Sequence, residues 1–406
     1  MSSNQYSRRD FVKASGVAAL AQSIPAAQDR SKRKSNELLL YVGTYTSGKS
    51  EGIYVYRMNL AGGELKRAAT VKGVSNPSFL AIDPKRRFLY AANESGEFAG
   101  RKGGGVTAFA IDQKTGDLRK LNEQHSPGVP CHVSVHPSGR FVLAANYGGG
   151  NVVIYPVRAN GGLGEASDVA QHSGKGGDPK RQDAPHAHCI MLDAAGRYAF
   201  APDLGIDKVM IYRIDVKNGK FIPNGFAATR AGAGPRHFDF HPSGKFAYVI
   251  NELNSTLTAF AYDNAKGALT ELQTISTLPP DFSGANSCAD IHVHPSGSFV
   301  YGSNRGHNSV VAFAIDQSSG KLSLIAHEST QGKWPRNFGV DPTGAFLLAA
   351  NQNTDNVVTF RIDQQSGKLT ATGQVTEIPS PVCLKFIPSF PYSFSPAFPF
   401  KAVGVP

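Results

Sequence analysis

One short pattern recurs along the chain, and a chain built this way buries its apolar faces only by packing copies of a single unit together. The pattern reads clearly in Ile82 to Glu94 (IDPKRRFLYAANE), Val135 to Tyr147 (VHPSGRFVLAANY), Phe240 to Glu252 (FHPSGKFAYVINE), Val293 to Arg305 (VHPSGSFVYGSNR) and Val340 to Gln352 (VDPTGAFLLAANQ). A looser copy runs from Leu192 to Leu204 (LDAAGRYAFAPDL). A seventh is split between the ends of the chain: Leu38 to Thr46 supplies its second half and Ser380 to Pro388 its first. Counted at Pro84, Pro137, Ala194, Pro242, Pro295 and Pro342, the copies stand 47 to 57 residues apart. A period of that length, with several short strands in each copy, marks a β-propeller rather than a helical solenoid.

Each copy has the same internal grammar. A strand such as CHVSVH runs into a Pro-Ser-Gly turn, where glycine accepts φ > 0 without a Cβ clash. The next strand, such as FVLAAN, is almost wholly apolar and therefore buried on both faces. A third strand alternates in character and ends in an Asp-x-x-(x)-Gly-x-Leu hairpin turn, as in IDQKTGDL and IDQSSGKL. A more polar fourth strand completes the unit. The split copy fits a ring closed by strands from both termini, with Leu38 to Tyr41 beside Cys383 to Phe386, which covers edges that would otherwise invite aggregation. The expected architecture is therefore all-β: a seven-bladed β-propeller over residues 35–388, closed by pairing of N- and C-terminal strands in one blade.

The flanks read differently. Ser7-Arg8-Arg9-Asp10-Phe11-Val12-Lys13 resembles the twin-arginine export signal, followed by a mildly apolar stretch (Ala14 to Ala27) and a basic segment (Asp29 to Lys34). Residues 1–34 are therefore expected to be a leader that the twin-arginine machinery recognises, with the mature protein exported to the periplasm. Residues 389–406 are aromatic and proline-rich, lack the repeat register, and are expected to be disordered. Of the net charge of +11, the leader carries +5. The remainder, spread over more than 350 residues, has no clustered Lys/Arg with stacking aromatics, which argues against nucleic acid. No apolar run reaches the roughly 20 residues a membrane-spanning helix needs. Cys131, Cys189, Cys288 and Cys383 follow the blade period rather than a ligand cluster, so buried free thiols are expected and a cysteine metal site is not.

Aligning the copies against one another locates a site. The start of each first strand and the end of each second strand lie at the same end of a blade, so around the ring they form one rim of the central channel. Six places before the turn proline stand Ser78, Cys131, His188, Arg236, Ala289, Arg336 and Val382. One place later stand Phe79, His132, Cys189, His237, Asp290, Asn337 and Cys383. Just beyond the second strand stand Glu94, Tyr147, Leu204, Glu252, Arg305 and Gln352. Scaffold positions should agree between copies; these columns disagree, and their odd members are ionisable. His188, Arg236, Glu252 and Arg305 are the candidate catalytic residues, with His132, His237, Arg336 and Asp290 as candidate substrate contacts. His136, His241 and His294 precede the turn proline in three copies and are expected to serve the turn. His132 and His237 share one column and could equally be structural.

Beyond this internal comparison, the Gly43 to Thr46 start (GTYT), the Gly234 to His237 motif (GPRH) and the following Phe240 to Ser255 block (FHPSGKFAYVINELNS) resemble the seven-bladed lactonase family. That family contains bacterial propeller-type 6-phosphogluconolactonases and a fungal carboxy-muconate lactonizing enzyme. The resemblance covers nearly all of residues 38–388. It implies that His188, Arg236, Glu252 and Arg305 occupy the family's site positions, and that the substrate is a small anionic or sugar-like lactone. Lactone hydrolysis needs an activated water, stabilisation of an oxyanion and a proton for the leaving ring oxygen. Either Glu252 or His188 could be the base, with the other protonating the leaving group. Arg236 and Arg305 stay charged and suit an oxyanion, carboxylate or phosphate. No cofactor and no metal is expected. An export signal fits poorly with a cytoplasmic sugar phosphate, which leaves an unphosphorylated lactone in play. Two other readings use the same rim: a non-catalytic propeller that binds a small ligand or protein, and a muconate-type cycloisomerase. A haem or quinone propeller is disfavoured by the lack of C-x-x-C-H and by the single tryptophan, Trp334.

Overall fold

A computed structural model of the chain describes residues 36–388. The twin-arginine leader and the aromatic tail expected from the sequence lie outside the described residues. Seven four-stranded antiparallel sheets make up the blades of a β-propeller. Their innermost strands are, for blades 1 to 7, Pro77–Ile82, Pro130–Val135, Met191–Leu192, Pro235–Phe240, Ser287–Val293, Pro335–Val340 and Pro381–Pro388. Blade 7 is the split copy: Glu37–Thr44 pairs with Pro381–Pro388, with Leu39 opposite Ile387 and Tyr41 opposite Lys385. The apolar second strands are buried along their length, as in Phe141–Asn146 and Phe346–Asn351. Apart from a 3-10 turn at Gln352–Thr354, the described residues contain no helix.

Two side-chain devices hold blades together. A tyrosine in the second strand donates to the hairpin carbonyl of the next blade: Tyr41 to Gly116, Tyr90 to Gly161, Tyr248 to Gly320 and Tyr301 to Gly367, at 2.7 to 3.1 Å. Each such bond contributes about 1 kcal/mol. The three histidines before the turn proline do more than brace their own turns. His136, His241 and His294 engage a turn serine through Nδ1, while Nε2 bonds the carbonyl of Gly196, Gly297 or Gly344 in the neighbouring blade at 2.8 to 2.9 Å. Blades 1, 3 and 6 carry Asp83, Asp193 and Asp341 there instead, each accepting backbone N–H groups of its own turn.

The inner strands position the rim. In blades 1, 2, 4 and 6 the pairing register slips at the residue six places before the turn: Ser78, Cys131, Arg236 and Arg336. Such a bulge sets two consecutive residues against one on the partner strand and re-aims a side chain. It allows Arg236 and His237, which an even pleat would send to opposite faces, to contact each other near the axis. Blade 3 departs most. Its inner strand shrinks to two paired residues beside Pro202, where the other complete copies carry Ala, Ile or Ser. Pro202 accepts from His188 N but has no N–H to return. The His188 carbonyl is instead approached by the Cys131 thiol at 3.4 Å. All four cysteines are buried free thiols.

Candidate active site

The rim encloses a cavity of about 300 Å³ lined by Glu94, Cys131, Tyr147, Arg181, His188, Glu252, Ser287, Arg305, Trp334 and Arg336. At its centre is one carboxylate held by three guanidinium groups. Glu252 Oε2 accepts from Arg236 Nε at 2.8 Å and from Arg305 Nη2 at 2.7 Å, and Oε1 accepts from Arg181 Nη2 at 2.6 Å. Burial alone would raise the Glu252 pKa. Arg305, Arg236 and Arg181 outweigh it and hold the carboxyl at about 2. Glu252 is therefore a fixed anion at neutral pH, a poor base and no proton donor. Arg236 is only 1% exposed and sits beneath the cavity, its Nη1 spent on the Ala289 carbonyl and on His237 Nε2. Arg305 stacks on Trp334 at 5.4 Å and donates Nη2 to the Cys288 carbonyl, which leaves Nη1 and the buried Nε without partners among the described residues.

His188 lines the same cavity. Burial, with Arg236 and His237 close by, pushes its pKa well below 6.5, so the ring is neutral at pH 7. Its Nδ1 faces the Cys131 thiol at 3.7 Å, and its Nε2 has no hydrogen-bond partner among the described residues. Tyr147 packs edge-on against the ring at 5.5 Å. Across the cavity, Arg336 lies over the Tyr45 ring and 3.7 Å from Glu94, which accepts from the Tyr45 hydroxyl at 2.8 Å.

The four candidate catalytic residues thus converge, with His188, Glu252 and Arg305 on the cavity wall and Arg236 beneath it, and Arg336 joins the wall. Three of the candidate substrate contacts do not line this cavity, which corrects the expectation. His132, His237 and Asp290 lie one layer deeper and plug the channel. His132 packs on Phe79 at 4.1 Å and against His237 at 5.6 Å. Asp290 accepts from His237 Nδ1 at 2.6 Å, engages His292 Nε2 at 3.1 Å and also accepts from Asn337. His237 reaches only a pinch of about 10 Å³ below the cavity, too small for more than a water. The physical reason is the register: the column one place after the bulge points down the axis rather than onto the rim. Among the described residues no three His, Cys, Asp or Glu side chains converge to hold a metal ion.

Sequence reasoning missed Arg181, Glu94, Tyr147 and Trp334. Glu94 and Tyr147 stand in the same column as Glu252 and Arg305, so the signal was present. Arg181 belongs to no column; it enters from the Gly- and charge-rich segment Ser173 to Pro185, inserted between blades 2 and 3.

Comparison with known proteins agrees with this architecture. Residues 39–386 match the family described as lactonase, 7-bladed beta-propeller. The chain is 40% identical over 349 residues to the 6-phosphogluconolactonase of Bacillus subtilis, covering 86% of this chain and 97% of that protein. Among solved structures it is similar to the periplasmic gluconolactonase PpgL of Pseudomonas aeruginosa, with 36% identity, a TM-score of 0.82, and coverage of 86% of this chain and 99% of that one. A crystallised putative 6-phosphogluconolactonase of Bacteroides fragilis gives 36% identity and a TM-score of 0.81, covering 88% and 99% of the two chains. The chain belongs to the seven-bladed β-propeller lactonase family.

Proposed function

We propose that this protein hydrolyses a sugar-acid lactone at the channel rim by acid–base catalysis with side chains alone. One observation carries the reading: a neutral buried imidazole with an unused Nε2 opens onto the cavity in which Arg305 presents an unused N–H beside a fixed anion. In the proposed reaction His188 Nε2 takes a proton from water as its oxygen adds to the lactone carbonyl carbon. Arg305 stabilises the tetrahedral oxyanion. Collapse breaks the bond to the ring oxygen, which receives the proton back from His188, and the open hydroxy acid leaves. Glu252 orients the arginines and holds them charged, so it contributes as an anchor. Arg236 acts from behind by fixing Glu252.

The relatives' names support lactone chemistry and differ in the lactone. The Bacillus subtilis protein is named for a phosphorylated substrate and the Pseudomonas aeruginosa protein for a periplasmic gluconolactonase. The twin-arginine pattern and the latter likeness support export and an unphosphorylated lactone, whereas an arginine-rich wall favours an anion. We take the substrate class as a sugar-acid lactone, with the phosphorylated and free sugars separated by assay.

The pH profile tests the base. His188 must be neutral to accept a proton, so activity falls as pH drops through its pKa, which lies below 6.5. Enzymatic kcat/KM, corrected for spontaneous hydrolysis, is expected to be flat from pH 6.5 to 8 with its acid limb lower. An acid limb centred at or above pH 7 would count against His188.

The layer below should matter through a tautomer. His237 donates Nδ1–H to Asp290, which leaves Nε2 to accept from Arg236 Nη1 at 3.3 Å. In Asp290→Asn the amide can present a donor to Nδ1, moving the ring proton to Nε2 and setting it against the guanidinium. A loss of about 10- to 100-fold in kcat/KM is expected, with the His237 tautomer change visible by nitrogen NMR. Unchanged kinetics with a changed tautomer would remove His237 from the account.

A further inference from the structure

The segment that delivers Arg181 is fastened at its base by two buried side chains, Gln182 and Asp207. Gln182, next to Arg181, is almost wholly buried although it lies in a polar loop. Its Nε2 donates to the Leu204 carbonyl at 2.8 Å and to Asp207 Oδ1 at 2.7 Å, while Oε1 accepts from Asp178 N at 2.9 Å. Asp207, also buried, takes Gly234 N on Oδ1 and Gly232 N on Oδ2, both at 2.8 Å. One carboxylate therefore grips both the loop carrying Arg181 and the loop leading to Arg236.

Four residues earlier, Asp203 Oδ2 accepts from His172 Nδ1 at 2.6 Å, and Oδ1 accepts from His186 N at 2.7 Å. The copies in blades 1, 2, 4, 5 and 6 have asparagine at the place of Asp203: Asn93, Asn146, Asn251, Asn304 and Asn351. At the place of His172, Ser126 and Thr277 bond Asn146 and Asn304 through their hydroxyls. Blade 3 thus replaces a neutral pair with acceptor-only carboxylates where an inserted loop must be tied down. The inserted Arg181 is the one guanidinium on Glu252 that is substantially open, its side chain 41% exposed, and it also reaches the Tyr147 hydroxyl at 3.4 Å.

We infer that Arg181 is a specificity arm that reads an oxyanion on the ligand, and that Gln182 and Asp207 are positioning residues that clasp it in place. The inference rests on the rim's being the ligand site proposed above, and it deepens that reading. An arm pinned at its base holds its guanidinium at a fixed height over the cavity; an unpinned one spends binding energy on ordering the loop.

Trp334, the only tryptophan of the chain, lines the cavity and gives a binding signal free of turnover. The experiment is a fluorescence titration with gluconate 6-phosphate, and with gluconate as the arm lacking phosphate, on wild type, Arg181→Gln, Gln182→Met and the double variant. Each single change is expected to weaken the phosphorylated probe about 10-fold. The double variant should bind within about twofold of Arg181→Gln, because Gln182 acts through Arg181. A preference for gluconate 6-phosphate over gluconate that Arg181→Gln loses assigns the arm to phosphate; an equal loss on both probes assigns it to the shared carboxylate. Should Gln182→Met not fold, Gln182→Glu keeps the volume, sets a second carboxylate against Asp207, and carries the same cycle. Losses that simply add, an unaffected Gln182 variant, or a wild type that does not bind the phosphorylated probe would each overturn the inference. Wild-type binding with this pattern but without turnover of any lactone would sink the hydrolase reading and leave the clasp standing.

Discussion

Glu252→Gln is expected to abolish measurable turnover and to lower the stability of the propeller by about 3–5 kcal/mol. The carboxylate is the shared counter-charge of Arg236, Arg305 and Arg181, and the first two are buried. Removing one partner of a buried charge cluster leaves guanidinium groups without water or counter-charge, and this costs more than the pair itself contributes. The amide can accept from one arginine, but its NH2 must face another donor. The same cluster sets an acid limit. Because the folded-state pKa of Glu252 is held at about 2 against an ordinary 4.5, its stabilisation is complete above about pH 4.5 and is lost as pH falls toward 2. Denaturant unfolding of wild type and variant at pH 7 and pH 3 checks both statements. The stability gap should be several kcal/mol at neutral pH and should narrow in acid; a gap that does not change with pH would contradict the electrostatic account.

His188→Asn is expected to reduce kcat by about 10²-fold or more, with a much smaller change in stability. The ring's contacts are modest: edge contacts with Tyr147 and His237 and a long approach to the Cys131 thiol. In the proposed mechanism its free Nε2 is the proton acceptor. Asparagine keeps a polar side chain in the cavity and cannot take a proton at neutral pH. Parallel measurement of kcat, KM and thermal unfolding separates the cases. Loss confined to kcat identifies the base, whereas a raised KM with kcat intact would make His188 a binding group and return Glu252 to consideration.

The blades and their closure were legible because the repeat is a physical requirement: each copy must present the same apolar second strand to its neighbours, so the pattern survives in the residues. That the two terminal strands close one blade was legible, but their register was not: Leu38 to Tyr41 lie opposite Lys385 to Pro388, two residues beyond the expected Cys383 to Phe386. The rim was legible for the complementary reason. Positions that escape the scaffold's demands break the pattern, and His188, Arg236, Glu252 and Arg305 did so. Depth was not legible. Arg236 and His237 are adjacent in sequence, and only the bulge at Pro235–His237 tells that the first meets Glu252 while the second meets Asp290. Arg181 could not be found by comparing copies, since an insertion has no counterpart to differ from. The choice of base also needed geometry: nothing in the spacing of Glu252 and His188 reveals that three arginines fix the charge of one while burial keeps the other neutral.

The most direct test of a rim that hydrolyses lactones with its own side chains is turnover of a small panel: gluconolactone, its 6-phosphate and aliphatic lactones. Each is assayed with and without chelator, beside His188→Asn and Arg236→Ala. The account predicts hydrolysis of a sugar-acid lactone that chelator leaves unchanged and that both variants lose. Turnover abolished by chelator, or retained in both variants, would contradict it, and no turnover on any member would make the rim a binding surface rather than an active site.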